Sequence, residues 1–222
     1  MANTETEKIV CGVDEAGRGP VIGPLVMCGF CIKPSEEKIL LELGVNDSKK
    51  LTPQKREEIA AELRKKFTNF HLVIFDPKEI DAREENGMNL NDLEAFGTSQ
   101  ILNILKPTHA ILDCPSANPA NYVAGLGKWL THKLNIRAEY KADANHLVVG
   151  AASILAKVER DHLIEKLKVR HKVDFGSGYP SDPKTVAFLK ANWNDYPGLF
   201  RTTWESWKVV AMKKTQKNLG DY

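Results

Sequence analysis

Short apolar segments alternate with longer segments of helical periodicity along the chain. Runs rich in β-branched and apolar residues predict strands at residues 8–13, 25–32, 70–75, 109–113 and 136–140. Apolar residues spaced three and four apart predict helices at residues 53–67, 90–105, 119–134, 145–171, 183–193 and 203–213. Thr52 and Pro53 supply the cap and the first position of the first helix.

The order of these segments predicts an α/β fold. Two consecutive strands joined by a Gly-rich loop come first, and strands alternate with helices afterwards. We therefore expect a mixed five-stranded sheet flanked by helices, followed by a small helical C-terminal lobe. Because the segment GSGYPSDP ends the long helix, the division is predicted between residues 1–172 and residues 173–222.

Composition and charge narrow the class of protein further. The 222 residues are 42% hydrophobic and 27% charged, which is ordinary for a globular protein, and the net charge is +2. Residues 141–222 hold 14 basic and 9 acidic side chains, a balance that suits contact with a polyanion. The uncharged stretch at residues 21–32 is too short to span a bilayer, and the N-terminus does not follow a secretory pattern. We predict a cytoplasmic protein without a membrane span.

Acidic residues stand at the ends of three predicted strands: Asp14, Glu15, Asp113 and Asp143. Strand ends in an open α/β sheet meet at one edge, where ligands bind. With no cation among them, two carboxylates 4 Å apart repel by about 4 kcal/mol at an effective dielectric constant of 20. A hard divalent ion, Mg²⁺ or Mn²⁺, would relieve this repulsion. Taken singly, Asp113 is also typical of a turn and Asp143 of a helix start.

The Gly-rich segment after the first strand gives the backbone unusual freedom. Asp14 and Glu15 would face opposite sides of a regular strand, so we expect the chain to leave the strand there. Gly17 and Gly19 permit positive φ and a close approach of the backbone to a ligand. Their N–H groups suit contact with a phosphate or a sugar hydroxyl, although a plain tight turn uses the same residues.

Five motifs together resemble the ribonuclease HII family, the type 2 ribonucleases H. The first motif is GVDEAGRGPVIGPLV, and the others follow in the family's order as NDSKKL, ILDCP, KADANHLVVGAASILAKVERD and GSGYPSDP. The resemblance covers residues 9 to about 207. The KAD and GSGYPSDP forms are most similar to archaeal members.

The resemblance implies a ribonuclease H-like fold and a role for each matched residue. The four acids would bind metal and carry catalysis. The backbone of Gly17, Arg18 and Gly19 would recognise a 2′-hydroxyl at an RNA–DNA junction, and Tyr179 would pack against the sugar there. Lys49 would contact a phosphate. Without the resemblance, Tyr179 would be read as a buried core tyrosine and Lys49 as part of a solvated turn.

The activity implied is that of an endonuclease. It would hydrolyse the RNA strand of RNA–DNA hybrids and cut 5′ to single ribonucleotides embedded in duplex DNA. Water would attack in line with the help of two metal ions, leaving 3′-hydroxyl and 5′-phosphate ends. Two alternatives use the same residues: a module that binds hybrids without cutting, and a metal phosphohydrolase of small esters. The four intact acids disfavour the former, and the Gly-rich loop and Tyr179 disfavour the latter.

The C-terminal tail carries a separate candidate motif. Gln216, Leu219 and Tyr222 have the spacing of the peptide box that binds DNA sliding clamps, although the second aromatic residue of that box is missing. A disordered polar tail is the alternative. The expected partners are thus RNA–DNA hybrids, ribonucleotide-containing duplexes and a sliding clamp. We expect the protein to be a monomer.

Overall fold

The computed structural model describes residues 7–45, 51–114 and 118–219, with side chains up to residue 215. These residues form a sheet in the order β3-β2-β1-β4-β5. β1 is antiparallel to β2 and parallel to β4, and β4 is parallel to β5. The strands are β1 (Val10–Ala16), β2 (Leu25–Ile32), β3 (Phe70–Phe75), β4 (His109–Asp113) and β5 (Asn135–Glu139). The predicted mixed five-stranded sheet is confirmed.

Helices account for most of the remaining described residues. They are α1 (Glu37–Glu42), α2 (Pro53–Lys66), α3 (Pro77–Ala82), α4 (Leu90–Leu105), α5 (Pro119–Leu126), α6 (Ala142–Asn145), α7 (Leu147–His171), α8 (Pro183–Asn192) and α9 (Glu205–Leu219). The predicted cap of α2 is confirmed, since the Thr52 hydroxyl accepts the N–H of Lys55 at 3.2 Å. Within the described residues, no helix is both long enough and apolar enough to cross a membrane.

Two predicted helix ends are wrong by more than one turn. α5 ends at Leu126 rather than at residue 134, and Asn103 of α4 binds the backbone of the segment that follows. The Asn103 amide donates to the carbonyl of Trp129 and accepts the N–H of Thr131, each at 2.9 Å. α9 continues six residues past the predicted end at 213, to Leu219.

Three short helices, α1, α3 and α6, were not predicted from the sequence. α1 and α3 each have six residues, too few to show a helical period. α3 has a capping box, in which Asp76 accepts the N–H of Glu79 and Glu79 accepts the N–H of Asp76. The sequence DPKE at residues 76–79 carries the pattern of this capping box.

The chain forms two compact units. The first contains residues up to Ala16, Val26–Val73 and Asn89–Glu159. The second contains Gly17–Leu25, Ile74–Met88 and the residues from Arg160 onward. The domain boundary between residues 172 and 173 stays a prediction.

The core of the first unit depends on two glycines in the sheet. A Cβ on Gly12 would lie against the Val148 main chain and 2.5 Å from the N of Val149, at the start of α7. A Cβ on Gly29, which pairs in register with Val13, would overlap the Ile101 side chain of α4. Because successive residues of a strand face opposite sides, α4 and α7 cover opposite faces of the sheet. Gly12 thus permits the close packing of α7 on β1.

We predict that Gly12→Ala destabilises the protein by about 3 kcal/mol or more, because the new methyl group meets main-chain atoms that cannot move away. Thermal unfolding followed by circular dichroism measures the change. Gly125→Ala in α5 is the matched control, since its Cβ would lie at an ordinary 3.9 Å from Ala95. The control should be neutral or slightly stabilising. Equal stability of Gly12→Ala and the wild type would contradict this account of the packing.

Candidate active site

Asp14 and Asp113 lie side by side on neighbouring parallel strands. Val13 of β1 pairs with Leu112 of β4, and the two acids are the next residues of their strands. The negative charge of Asp113 contributes to the raised pKa of Asp14. The structure therefore brings these two predicted site residues together.

The Asp14 carboxyl group is buried, with 5% of the residue exposed. Burial is the largest cause that raises its pKa from 3.8 to about 6. A hydrogen bond with the Ser153 side chain and the charge of Lys157 act in the opposite direction. Lys157 in turn donates to the Ser153 hydroxyl at 2.5 Å, so a polar chain leads from this ammonium group to the carboxylate. Asp14 is held in an environment that only partly supports its negative charge.

The expectation that the acids have no cationic side chain among them is wrong, because the charge of Lys157 acts on Asp14. Lys157 stands four residues after Ser153 on α7, so both side chains lie on one face of that helix. The signal was present in the sequence as SILAK, but Asp14 is more than 100 residues away and nothing in the sequence pairs them. The packing of α7 on Gly12 provides this proximity.

Asp143 reaches the neighbourhood of Asp113 through the backbone. The Asp113 carboxylate accepts the N–H of Ala142 at 2.7 Å, and Asp143 is the next residue. The prediction that Asp143 ends a strand is wrong, because β5 ends at Glu139 and Asp143 lies in the short helix α6. Lys141 precedes α6 with a left-handed φ of 57°, which turns the chain between the two elements. Asp143 is buried, with 8% exposed.

Glu15 does not share a face with Asp14. β1 continues through both residues to Ala16, with Glu15 opposite Met27 of β2, so the prediction that the chain leaves the strand there is wrong. Asp14 faces Ser153 of α7, whereas Glu15 is on the side of Tyr122, whose pKa it helps to raise. Over the described part of the chain, three or more acids, histidines or cysteines are nowhere grouped closely enough to hold a metal ion by themselves.

The second unit brings the GRG loop, residues 17–19, together with Tyr179. Gly17 has φ of +90°, and a Cβ there would lie 2.6 Å from the carbonyl oxygen of Pro24. A Cβ on Gly19 would lie 4.0 Å from Cε1 of Tyr179, so that the ring borders the loop. Tyr179 is 37% exposed and its ring lies 4.9 Å from the Arg160 guanidinium. Its exposure excludes the buried core tyrosine.

The remaining predicted residues cannot be placed in a site. Lys49 and Tyr222 lie outside the described residues. Gln216 and Leu219 belong to the last turns of α9, where only the backbone is described. Their roles stay predictions.

Comparison with known proteins identifies the family. A family model described as ribonuclease HII matches residues 11–208. The chain belongs to the ribonuclease HII family. A ribonuclease HII of Methanocella arvoryzae is 42% identical over 209 residues, which cover 94% of this chain and 92% of the relative. The family consists of metal-dependent endoribonucleases that act on RNA–DNA hybrids, and the chain is therefore a hydrolase of this type.

Solved structures of archaeal relatives agree with this assignment. Ribonuclease H2 of Pyrococcus horikoshii is 39% identical, with a TM-score of 0.85 over 94% of this chain and 99% of the relative. Ribonuclease HII of Archaeoglobus fulgidus, solved in a complex with PCNA, is 40% identical, with a TM-score of 0.81 over 89% of this chain and 95% of the relative. The ribonuclease H-like fold expected from the sequence is confirmed.

The acids fit the divalent ion on which ribonuclease HII depends. The predicted donors are carboxylate oxygens, which hard cations prefer. Asp14 is a buried carboxylate beside a second one, and its pKa stays raised because Ser153 and Lys157 offset the effect of burial only in part. Mg²⁺ is commonly held by one or two carboxylates together with water and substrate phosphate oxygens. A pair of neighbouring acids, rather than a complete protein cage, is therefore a suitable starting arrangement.

We predict that Asp14→Asn stabilises the metal-free protein above pH 6. The folded-state pKa of Asp14 is raised from 3.8 to about 6, so its ionised form opposes folding. This cost, about 3 kcal/mol at most, is fully present above pH 6 and disappears as the pH falls below about 4. The variant should therefore have a higher Tm than the wild type at pH 8 and an equal Tm near pH 4.

Thermal unfolding in chelator across this pH range measures the effect, with Asp195→Asn at an exposed position as the control. Added Mg²⁺ should raise the Tm of the wild type more than that of Asp14→Asn, because a ligand stabilises the state that binds it. A lower Tm of the variant at pH 8 without metal would contradict the account of Asp14.

Proposed function

We propose that this ribonuclease HII cuts the strand 5′ to single ribonucleotides embedded in duplex DNA as well as within RNA–DNA hybrids. The products would carry 3′-hydroxyl and 5′-phosphate ends. The proposal is carried by the placement of Asp14 beside Asp113 at the ends of parallel strands, in a chain of this family. The Tyr179 ring lies next to Gly19 of the GRG loop, and this placement supports recognition of the sugar of the ribonucleotide.

Asp14, Glu15, Asp113 and Asp143 are the proposed metal ligands and catalytic residues, with Mg²⁺ or Mn²⁺ as the ion. When bound, a pair of such ions would activate the attacking water and stabilise the leaving 3′-oxygen. The chain itself contributes negative charge from Asp14 and Asp113. The Ser153 side chain orients the Asp14 carboxylate by a hydrogen bond, and Lys157 donates to the Ser153 hydroxyl. The N–H of Ala142 fixes one oxygen of Asp113.

The GRG loop and Tyr179 are the proposed readers of the 2′-hydroxyl. Backbone donors suit this task because their positions do not depend on side-chain rotamers. The partly exposed ring of Tyr179 offers a face for packing against a sugar. The guanidinium of Arg160, in the same unit, stacks on this ring. A DNA sugar would leave the hydroxyl-binding groups without their partner, which is an effective basis for rejection. Lys49 remains a predicted phosphate contact.

A sliding clamp is the proposed protein partner. The Archaeoglobus fulgidus relative has been solved in a complex with PCNA, and this supports a clamp-binding role for the tail with Gln216, Leu219 and Tyr222. The monomeric state and the cytoplasmic location stay predictions.

We predict metal-dependent cleavage of an end-labelled duplex that contains one ribonucleotide. With Mg²⁺ or Mn²⁺ the label should appear in a product cut 5′ to the ribonucleotide, and chelator should abolish the product. Asp14→Asn should lower kcat at least about a hundredfold, the scale for removing one preorganised charge-stabilising group. Glu139→Gln is the matched control, because Glu139 pairs with Asp113 in register but is not a proposed ligand.

Three outcomes of this assay would contradict the proposal. They are binding without cleavage, cleavage only of long hybrids, and turnover of a small phosphate ester with none of the duplex. The product ends are checked by ligation, which requires the 3′-hydroxyl and 5′-phosphate pair.

We predict that deleting residues 216–222 abolishes clamp binding and leaves cleavage of the free duplex within about twofold. The deletion removes the last turn of α9 and the three residues that follow it, so the rest of the fold should be unaffected. Pull-down with the PCNA of Archaeoglobus fulgidus measures binding. The double substitution Lys217→Ala and Asn218→Ala changes the tail between the motif residues and serves as the control. Undiminished pull-down after the deletion would exclude this role of the tail.

A further inference from the structure

Arg201 binds the loop that contains the GRG residues. It is completely buried, with 0% exposed. Its Nε donates to the carbonyl oxygen of Gly23 at 2.9 Å, its Nη1 to that of Arg18 at 3.0 Å and its Nη2 to that of Gly17 at 2.6 Å. Its own N–H donates to the carbonyl oxygen of Val21 at 2.8 Å. One residue of the second unit therefore holds this loop at four points.

The charge of Arg201 is retained despite its burial. Burial lowers the pKa of Arg201 to about 9, and the charge of Arg160 acts in the same direction. The face of the Trp204 ring lies 4.8 Å from the guanidinium, and the negative charge of Asp81 opposes the lowering. Arg201 is thus charged at neutral pH, and its hydrogen bonds to the carbonyls are charge-assisted.

These bonds fix the direction of the peptide groups in the GRG loop. In a trans peptide the carbonyl and the following N–H point to opposite sides. The Gly17 and Arg18 carbonyls point toward Arg201, so the N–H groups of Arg18 and Gly19 point away from it. Gly19 is also the residue that borders the Tyr179 ring. Arg201 therefore sets the orientation of backbone donors next to the proposed sugar-binding ring.

Arg160 constrains the same loop from another direction. A Cβ on Gly17 would lie 2.5 Å from the Nε of Arg160, so a side chain at position 17 is excluded. Arg160 also donates to the carbonyl of Ser177 at 3.3 Å and lies under the Tyr179 ring. The two arginines hold the loop and the ring, respectively, within one unit.

We propose that Arg201 is a positioning residue for ribonucleotide specificity. Arg201 holds the carbonyls of Gly17 and Arg18. The N–H groups of Arg18 and Gly19 are thereby directed toward the 2′-hydroxyl of the substrate. This proposal rests on the proposed function of the GRG loop. Arg201 itself makes no contact with the substrate. Its replacement therefore affects the choice between sugars more than the affinity for duplex in general.

The test compares two duplexes that differ in a single 2′-hydroxyl. Binding is measured by fluorescence anisotropy with Mg²⁺ present, in the Asp14→Asn background so that the strand stays intact. Arg201→Lys keeps the charge but replaces the three-way fork by one ammonium group. Specificity is expressed as the Kd for the all-DNA duplex divided by the Kd for the ribonucleotide-containing duplex. This ratio should fall about tenfold, which corresponds to the loss of one charge-assisted hydrogen bond. Affinity for the all-DNA duplex should stay within about twofold.

Arg83→Lys is the matched control. Arg83 is buried in the same unit and stacks on the same Trp204 ring at 5.0 Å. Its hydrogen bonds go to the Ile80 carbonyl and the Thr203 hydroxyl, not to the GRG loop. The control should lose stability to a similar degree and keep the Kd ratio of the background protein.

The outcomes separate this proposal from the function on which it rests. An Arg201→Lys protein that keeps the ratio, or that weakens binding of both duplexes equally, overturns the role of Arg201 alone. A background protein with a ratio near one overturns the proposed 2′-hydroxyl recognition and this proposal with it.

A second measurement applies if Arg201→Lys does not fold. In the background protein, the amide NMR signals of Arg18 and Gly19 should shift more on binding the ribonucleotide duplex than on binding the all-DNA duplex. The side-chain Nε–H signal of Arg201 should respond equally to both duplexes. Equal shifts of the Arg18 and Gly19 amides with both duplexes would overturn the proposal.

Discussion

The buried carboxylate of Asp14 beside Asp113 is the feature around which the first unit is organised. Two like charges at the ends of neighbouring strands oppose folding, and burial raises the pKa of Asp14 to about 6. Gly12 allows α7 to pack directly on β1, and this packing brings Ser153 and Lys157 to the carboxylate. The protein thus compensates the charge only in part, and the proposed cation would satisfy the rest. A site that costs stability without its ligand is typical of a functional centre.

The second unit uses the opposite solution, a buried cation surrounded by main-chain oxygens. The guanidinium of Arg201 donates hydrogen bonds to carbonyl oxygens of a loop more than 170 residues earlier in the chain. Its guanidinium has the donor geometry to hold several acceptors at once. The loop conformation therefore depends on a residue that looks, in the sequence, like any other charged residue after an apolar pair. Phosphate hydrolysis is the proposed role of the acids in the first unit, and sugar recognition is the proposed role of the loop in the second.

Local patterns predicted most of the elements, and long-range packing explains most of the errors. β2 and β4 coincide with their apolar runs because buried strands need an uninterrupted apolar sequence. α5 ends before residue 134, and the segment after it is held by Asn103 of another helix, a contact that the local sequence does not indicate. β1 outlasts its apolar run because β2 continues to pair with Glu15 and Ala16.

The candidate site was predictable in its residues but not in its surroundings. Predicted strand ends indicated Asp14, Glu15, Asp113 and Asp143, and the resemblance to ribonuclease HII added Tyr179. The different faces of Asp14 and Glu15 follow from strand geometry, once β1 is known to continue. Lys157 and Arg201 were missed because their partners are distant in sequence and only the tertiary fold pairs them.

The most direct test of this account is a crystal structure of the protein with Mn²⁺, in which the metal is located by its anomalous scattering. The account predicts a manganese peak within coordination distance of carboxylate oxygens of both Asp14 and Asp113. A well-ordered site in which manganese binds elsewhere, with Asp14 still hydrogen-bonded only to protein groups, would contradict it.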